Sequence, residues 1–129
     1  MNDSDIRITI DIPRNKIRIF KSTLHAINDP THIVLVVNPE ERTLGLKQCS
    51  PDEKTAHRIN WKVMGNNCCE LSSKSLIRAL MDVCPEWNVN TGYSLEGKLI
   101  PGENMVLFEM DKAELISIRN GKNGKTSTV

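Results

Sequence analysis

Aromatic residues are scarce, making up 4% of the 129 positions, so a core has to be assembled from Ile, Leu, Val and Met. An excess of charge of one sign is also missing. The formal net charge is +1, which exerts no global pull toward nucleic acid or membrane and leaves any such partner to a local patch. No apolar run approaches the roughly 20 residues that span a bilayer. The opening MNDSDIRIT lacks the basic-then-apolar order of a signal peptide. The four cysteines, Cys49, Cys68, Cys69 and Cys84, show no C-x2–4-C spacing, and adjacent strand residues such as Cys68 and Cys69 point to opposite faces. His25, His32 and His57 are scattered. The expectation is a cytoplasmic protein with reduced thiols, no disulfide framework and no metal, Cys69 or Cys84 packing as a small hydrophobe.

The glycine-rich nucleotide loops are absent, and no nucleophile sits in an elbow or helix-start motif. Asp52 and Glu53 are adjacent acids in a turn-rich stretch and read as solvated. The chain is therefore read as a non-enzyme without a cofactor. What is present, 39% hydrophobic and 26% charged residues, suits one globular domain, or two very small ones sharing a core.

Residues 6–12 alternate Ile6, Ile8, Ile10 and Ile12 with Arg7, Thr9 and Asp11, an amphipathic strand stopped by Pro13. Ile17 and Ile19 alternate with Lys16, Arg18 and Lys21 in a second strand. Ser22 is the expected cap of a short helix bearing Leu24 and Ile27, ended at Asn28-Asp29-Pro30. HIVLVVN (32–38) is β-prone, Asn38-Pro39-Glu40-Glu41 is a turn, and residues 42–48 return as a strand. SPDEKTAHR (50–58) has linker chemistry, Ile59 to Met64 reads as a short strand and Gly65-Asn66-Asn67 as a turn. The order then repeats. Residues 68–71 form a short strand, and SSKSLIRALMDVC forms an amphipathic helix with Leu76, Ile77, Leu80 and Val83 on its apolar side. Ser72 or Ser73 is its cap. Strands at 91–99 and 104–109 flank the turn Ile100-Pro101-Gly102-Glu103. Lys21–Ile27 even aligns with Lys74–Leu80. Asp111 and Glu114 have capping-box spacing for a last helical turn, DKAELI.

This order predicts fold class α+β: an opening strand followed by two β-α-β-β units that share one core, each alone too small to bury both faces of its sheet. The expected divisions are 1–49 for the opening strand and first unit, 50–58 for a linker, 59–118 for the second unit and 119–129 for a mobile tail.

With that register, NKIRIFKSTLHAIND resembles the opening of the AbrB/MraZ-type swapped-hairpin domain. Asn15 stands at the family's glycine, Lys16 at its basic residue, Ile17 and Ile19 at its apolar positions and Phe20 at its proline. His25-Ala26-Ile27-Asn28 covers the helix end, and HIVLVVNPEERTLGL is similar to the two strands that follow. The likeness covers residues 15–48 well and the second half loosely; MraZ-like proteins carry two such units in one chain. What the resemblance implies is a DNA-binding regulator or antitoxin acting as a dimer or larger ring.

The residues themselves offer one patch for that role. Arg14, Lys16, Arg18 and Lys21 fall within eight residues free of acids, and Lys16 and Arg18 project from the strand face opposite Ile17 and Ile19. Clustered cations suit phosphates, and Arg can fork onto a guanine edge. The alternative is a solvated strand face whose bases guard an edge. Arg119, Lys122 and Lys125 would add a flexible basic arm or a plain disordered end.

Two functions follow as expectations. One is a DNA-binding regulator or antitoxin-like homo-oligomer contacting double-stranded DNA through the basic strand. The other is a non-catalytic protein-interaction domain using an exposed β edge. With the interaction domain, Trp61 and Trp87 either anchor an interface or cap the core.

Overall fold

The computed structural model describes residues 6–64 and 67–116, so Gly65, Asn66 and the tail bases Arg119, Lys122 and Lys125 lie outside the described residues. The first hairpin is local chemistry. β1 (Arg7–Asp11) and β2 (Lys16–Phe20) pair antiparallel with Ile8 opposite Ile19 and Ile10 opposite Ile17. Asp11 Oδ1 accepts from the Arg14 amide at 3.3 Å, and Asn15 takes a left-handed φ of 54°, which Asn tolerates better than most residues. α1 (Lys21–Ala26) follows without a break. Its N-cap is Phe20, with no side-chain cap, so Ser22 lies inside the helix and does not cap it. Thr23 compensates by clamping α1 to β1: its hydroxyl accepts from the Arg7 amide at 2.7 Å and donates to the Arg7 carbonyl at 2.9 Å. Asn28 and Asp29, at φ 68° and 51°, then turn the chain out of the helix.

β3 (His32–Asn38) and β4 (Thr43–Gln48) form the second hairpin, its turn held by Asn38 Oδ1, which accepts from the Glu40 and Glu41 amides at 3.1 and 3.2 Å. The stretch expected as a linker carries β5 (His57–Arg58). The strand expected over 59–64 is instead a 3-10 turn at Trp61–Val63, started by Asn60 accepting from the Lys62 amide. β6 (Cys68–Ser72) leads into α2 (Lys74–Val83), capped by Ser73 Oγ, which accepts from the Leu76 amide at 3.2 Å. β7 (Gly92–Ile100) and β8 (Met105–Glu109) follow. The helical turn expected at DKAELI is a 3-10 turn, Met110–Lys112, and then a strand, β9 (Glu114–Ile116). β9 continues the line of β8 along β7 after that bulge, so sheet pairing overrides the capping signal.

Among the described residues all pairings are antiparallel, and they make a nine-stranded sheet in the order β5-β3-β4-β8-β7-β1-β2-β6, with β9 also on β7. The sheet curls until its terminal strands face one another across a cleft of about 370 Å³ lined by Arg58, Asn60, Val63, Met64 and Cys68–Leu71. This barrel-like, sheet-dominated fold overturns the α+β expectation of two β-α-β-β units. Neither unit exists as a sheet of its own: β2 pairs with β1 and β6, while β3 and β4 pair with each other and with β5 and β8. The reason is that element order says nothing about pairing. The tight β1–β2 turn gives β2 a local partner on one edge, and β6 occupies the other.

Interior positions alternate along the strands. Ile8, Ile10, Ile17, Ile19, Leu44, Leu46, Leu95, Val106 and Phe108 are all at most 1% exposed, joined by Leu24 of α1, Ile27 at its C-cap, and Ile77 and Leu80 of α2. Each such side chain contributes about 1.5–3 kcal/mol of burial free energy. β7 binds the two halves together, pairing through Gly92–Glu96 with β1 and through Gly97–Ile100 with β8. At the changeover a Cβ on Gly97 would come within 2.4 Å of Val106 Cγ1 and 2.6 Å of the Phe108 ring, so only glycine fits.

Candidate functional site

The predicted basic residues are gathered but not left to solvent. Lys16 and Arg18 share the outer face of β2, and Arg14 stands in the turn before it. Arg14 Nη1 lies 2.9 Å from Asp11 Oδ2, and Arg18 Nη1 is 3.4 Å from the same oxygen. Arg18 Nε donates to Glu70 Oε2 at 2.8 Å, and Lys16 Nζ to Glu70 Oε1 at 3.3 Å. Asp11 is wholly covered under its two guanidiniums. The Arg18 hydrogen bond, helped by Lys16, outweighs desolvation and holds the Glu70 carboxyl below the usual carboxylate range. Partial burial pulls the Arg18 pKa down, but Glu70 and Asp11 overcome it, and the net shift is upward. Lys21 stands apart from this network at the start of α1. Sequence reasoning misses Glu70: it lies 52 residues from Arg18 and reaches it only because β6 pairs with β2.

The groups with potential for catalysis are unpromising as nucleophiles. Burial pushes the Cys49, Cys68, Cys69 and Cys84 thiols upward, leaving little thiolate at neutral pH. Burial lowers the His57 imidazole. His25 Nδ1 is 2.5 Å from Asp29, and its ring stacks on Trp61, whose indole N–H donates to the Pro30 carbonyl at 2.9 Å. Trp87 is buried and stacks on Tyr93 with ring centroids 4.5 Å apart. Both tryptophans thus brace the fold. Among the described residues no group of three His, Cys, Asp or Glu side chains is placed to hold a metal. No helix among them is long and apolar enough to cross a membrane.

A different feature stands out on β3. The Ile59 amide donates to the Thr31 carbonyl on the β5 side at 2.8 Å, and the Cys49 amide donates to the His32 carbonyl on the β4 side at 3.0 Å. Antiparallel pairing alternates, so odd-numbered residues of β3 aim their main-chain groups toward β5 and even-numbered ones toward β4. β5, however, pairs only with His32 and Ile33. Beyond it, the N–H and C=O of Leu35 and Val37 face an edge with no strand neighbour among the described residues. This edge carries no charge: it reads Val34-Leu35-Val36-Val37, with Val36 50% exposed. Clefts lie on either side of it. One, of about 610 Å³, is lined by Val34–Val37 with Lys47, Glu53 and Thr55; the other, of about 380 Å³, runs between Leu35, Lys54–His57 and Leu76 of α2.

The outer face beside this edge is mostly apolar as well, with the exposed Lys47 between Val34 and Met105. Register brings Val36 across from Gly45, Gly45 from Leu107 and Ile100 from Met105, with Met105 lying over Gly45. The β-prone HIVLVVN run is legible in the sequence, but that a two-residue β5 is its partner on that edge among the described residues is not. No family model, curated protein or solved structure matches this chain.

Proposed function

We propose that this chain is a non-catalytic protein-interaction domain that takes up an extended segment as an added strand on β3. The observation that carries this reading is the edge left uncovered among the described residues, where Leu35 and Val37 present main-chain donors and acceptors between apolar side chains. Strand addition satisfies such groups, and the flanking clefts give alternate side chains somewhere to go. Native edges are ordinarily blunted by charge, proline or a bulge, and the Val34–Val37 stretch has none of these. The test is selection of displayed extended peptides against the wild-type protein, counter-selected against Val36→Lys. Enrichment of β-prone sequences that lose binding to the variant supports the reading. No enrichment, or peptides indifferent to the substitution, overturns it.

The nucleic-acid reading draws less from the geometry. Arg14, Lys16 and Arg18 already meet Asp11 and Glu70, and a phosphate has to compete with those carboxylates. Binding of duplex DNA that is strong at about 50 mM salt, falls steeply by about 200 mM and is abolished by Lys16→Glu with Arg18→Glu would favour it instead.

A further inference from the structure

Resting on the strand-addition reading, we infer that the strand added at the β3 edge is β3 of another copy of this chain, forming an antiparallel two-fold dimer centred on Val36. The residues whose main-chain groups face outward, Leu35 and Val37, are placed symmetrically about Val36. A two-fold axis at Val36 sets Leu35 against Val37 of the other copy and Val37 against its Leu35, each pair exchanging both N–H···O bonds. Val36 then meets Val36 in the closer, non-hydrogen-bonded position, where β-branched pairs favour the contact. The half-exposed Val36 and the half-buried Leu35 and Val37 all gain cover.

Charge is compatible with this register. The turn after β3 carries Glu40 and Glu41, both exposed, whereas the chain flanking the other end of the edge carries Lys54 and Arg58 together with Asp52 and Glu53. Antiparallel pairing runs the other copy's Asn38 past Val34 and carries its acidic turn toward Lys54 and Arg58.

The sheet's other free edge shows why β3 is the one that fits a copy of itself. The Lys21 amide donates to the Asn67 carbonyl and the Ser73 amide to the Asn15 carbonyl, so on β6 the outward-facing residues are Cys68, Glu70 and Ser72. The two-fold there that uses all three of these residues sets Glu70 against Glu70, and like charges directly opposite repel.

The test is sedimentation velocity of the full chain over about 5–500 µM. Wild type is expected to show a monomer–dimer equilibrium. Val36→Lys and Val36→Glu, each placing like charges together at the axis, should weaken it by at least about tenfold. Mixing the two variants should restore a dimer, because lysine then opposes glutamate; this rescue also shows that both variants fold. A wild type that stays monomeric throughout overturns the dimer. If it still selects β-prone peptides that Val36→Lys loses, the strand-adding reading stands without it. A dimer indifferent to both substitutions, or variants that fail to pair when mixed, overturns the β3 two-fold.

Discussion

The outer face of the sheet divides into two regions of opposite character. On β7, β1, β2 and β6 it is polar, and its charges answer one another: Arg7 donates to Ser94 at 2.6 Å, Arg14 and Arg18 meet Asp11, and Arg18 and Lys16 meet Glu70. On β3, β4 and β8 it is mainly apolar, with Val34, Val36, Met105 and Leu107 around a glycine and Lys47 as the charge between Val34 and Met105, ending at an edge whose main-chain groups have no strand partner among the described residues. The charged region, conspicuous in the sequence for its bases, is the more self-sufficient. The apolar region has the sequence of an ordinary strand pair, yet it is where association would remove the most unfavourable exposure. A charge cluster becomes a binding site only when its countercharges are elsewhere, and here the fold brings them in.

The comparison can be broken at the strand the two regions share. Gly97→Ala puts a methyl into Val106 and Phe108 where β7 changes partners. Overpacking of this kind costs about 1–3 kcal/mol. Thermal unfolding should show a fall of roughly 5–15 °C for a domain of this size, with both regions losing order together. An unchanged melting temperature would mean that β7 shifts to make room.

The apolar region is fastened through Arg42, which holds a left-handed φ of 55° at the end of the β3–β4 turn. Its guanidinium bonds to Glu86, to Asp111 at 2.7 Å and to the Val83 carbonyl at the end of α2 at 3.0 Å, and the Glu86 bond leads in pushing its pKa upward. Arg42→Ala should lower the melting temperature by a few degrees. Hydrogen exchange should rise mainly in β3 and the end of α2, while β1 and β2 stay protected.

The charged region can be sharpened by removing a countercharge. Glu70→Gln takes the carboxylate from Lys16 and Arg18 while keeping the shape of the side chain. If that face can serve phosphates, duplex affinity at about 50 mM salt should rise around tenfold and be lost by about 200 mM. Anisotropy unchanged from wild type would count against any nucleic-acid role for this face.

The smallest effect is in the pH dependence. Glu70 has a folded pKa below its unfolded value, so its stabilising contribution is present above the ordinary glutamate pKa of about 4.3 and is lost as pH falls through the lower folded value. Its side chain is 43% exposed, so solvent screens much of this contribution. Wild type should lose slightly more stability than Glu70→Gln between about pH 5 and pH 3. Equal losses would mean that the ion pairs on this face carry no net stability.

Much of the local structure is legible in the chain. The isoleucine alternation of residues 6–12 and of Ile17 and Ile19 marks two strands and their buried faces, and both are buried as the period requires. Ser73 is one of two candidate caps for α2 and is the one that caps it. The failures share a cause. Short-range signals make Ser22 a cap and DKAELI a helical turn, yet α1 is tied down by Thr23 on β1, and residues 114–116 are drawn onto β7. Three of the four candidate site residues come together on one face, but Glu70, which answers Lys16 and Arg18, is illegible because it comes from a distant strand.

By itself, then, the sequence determined which segments are extended, which of their faces are apolar and where the chain turns, since these follow from periodicity and from the backbone preferences of Asn, Pro and Gly. Only the tertiary structure decided which strands are neighbours. That choice turned two expected β-α-β-β units into one curled antiparallel sheet, matched the basic strand with Asp11 and Glu70, and, among the described residues, left the edge of β3 bare beyond Ile33. Pairing depends on contacts between residues far apart in the chain, whose energies appear only once the backbone has closed on itself.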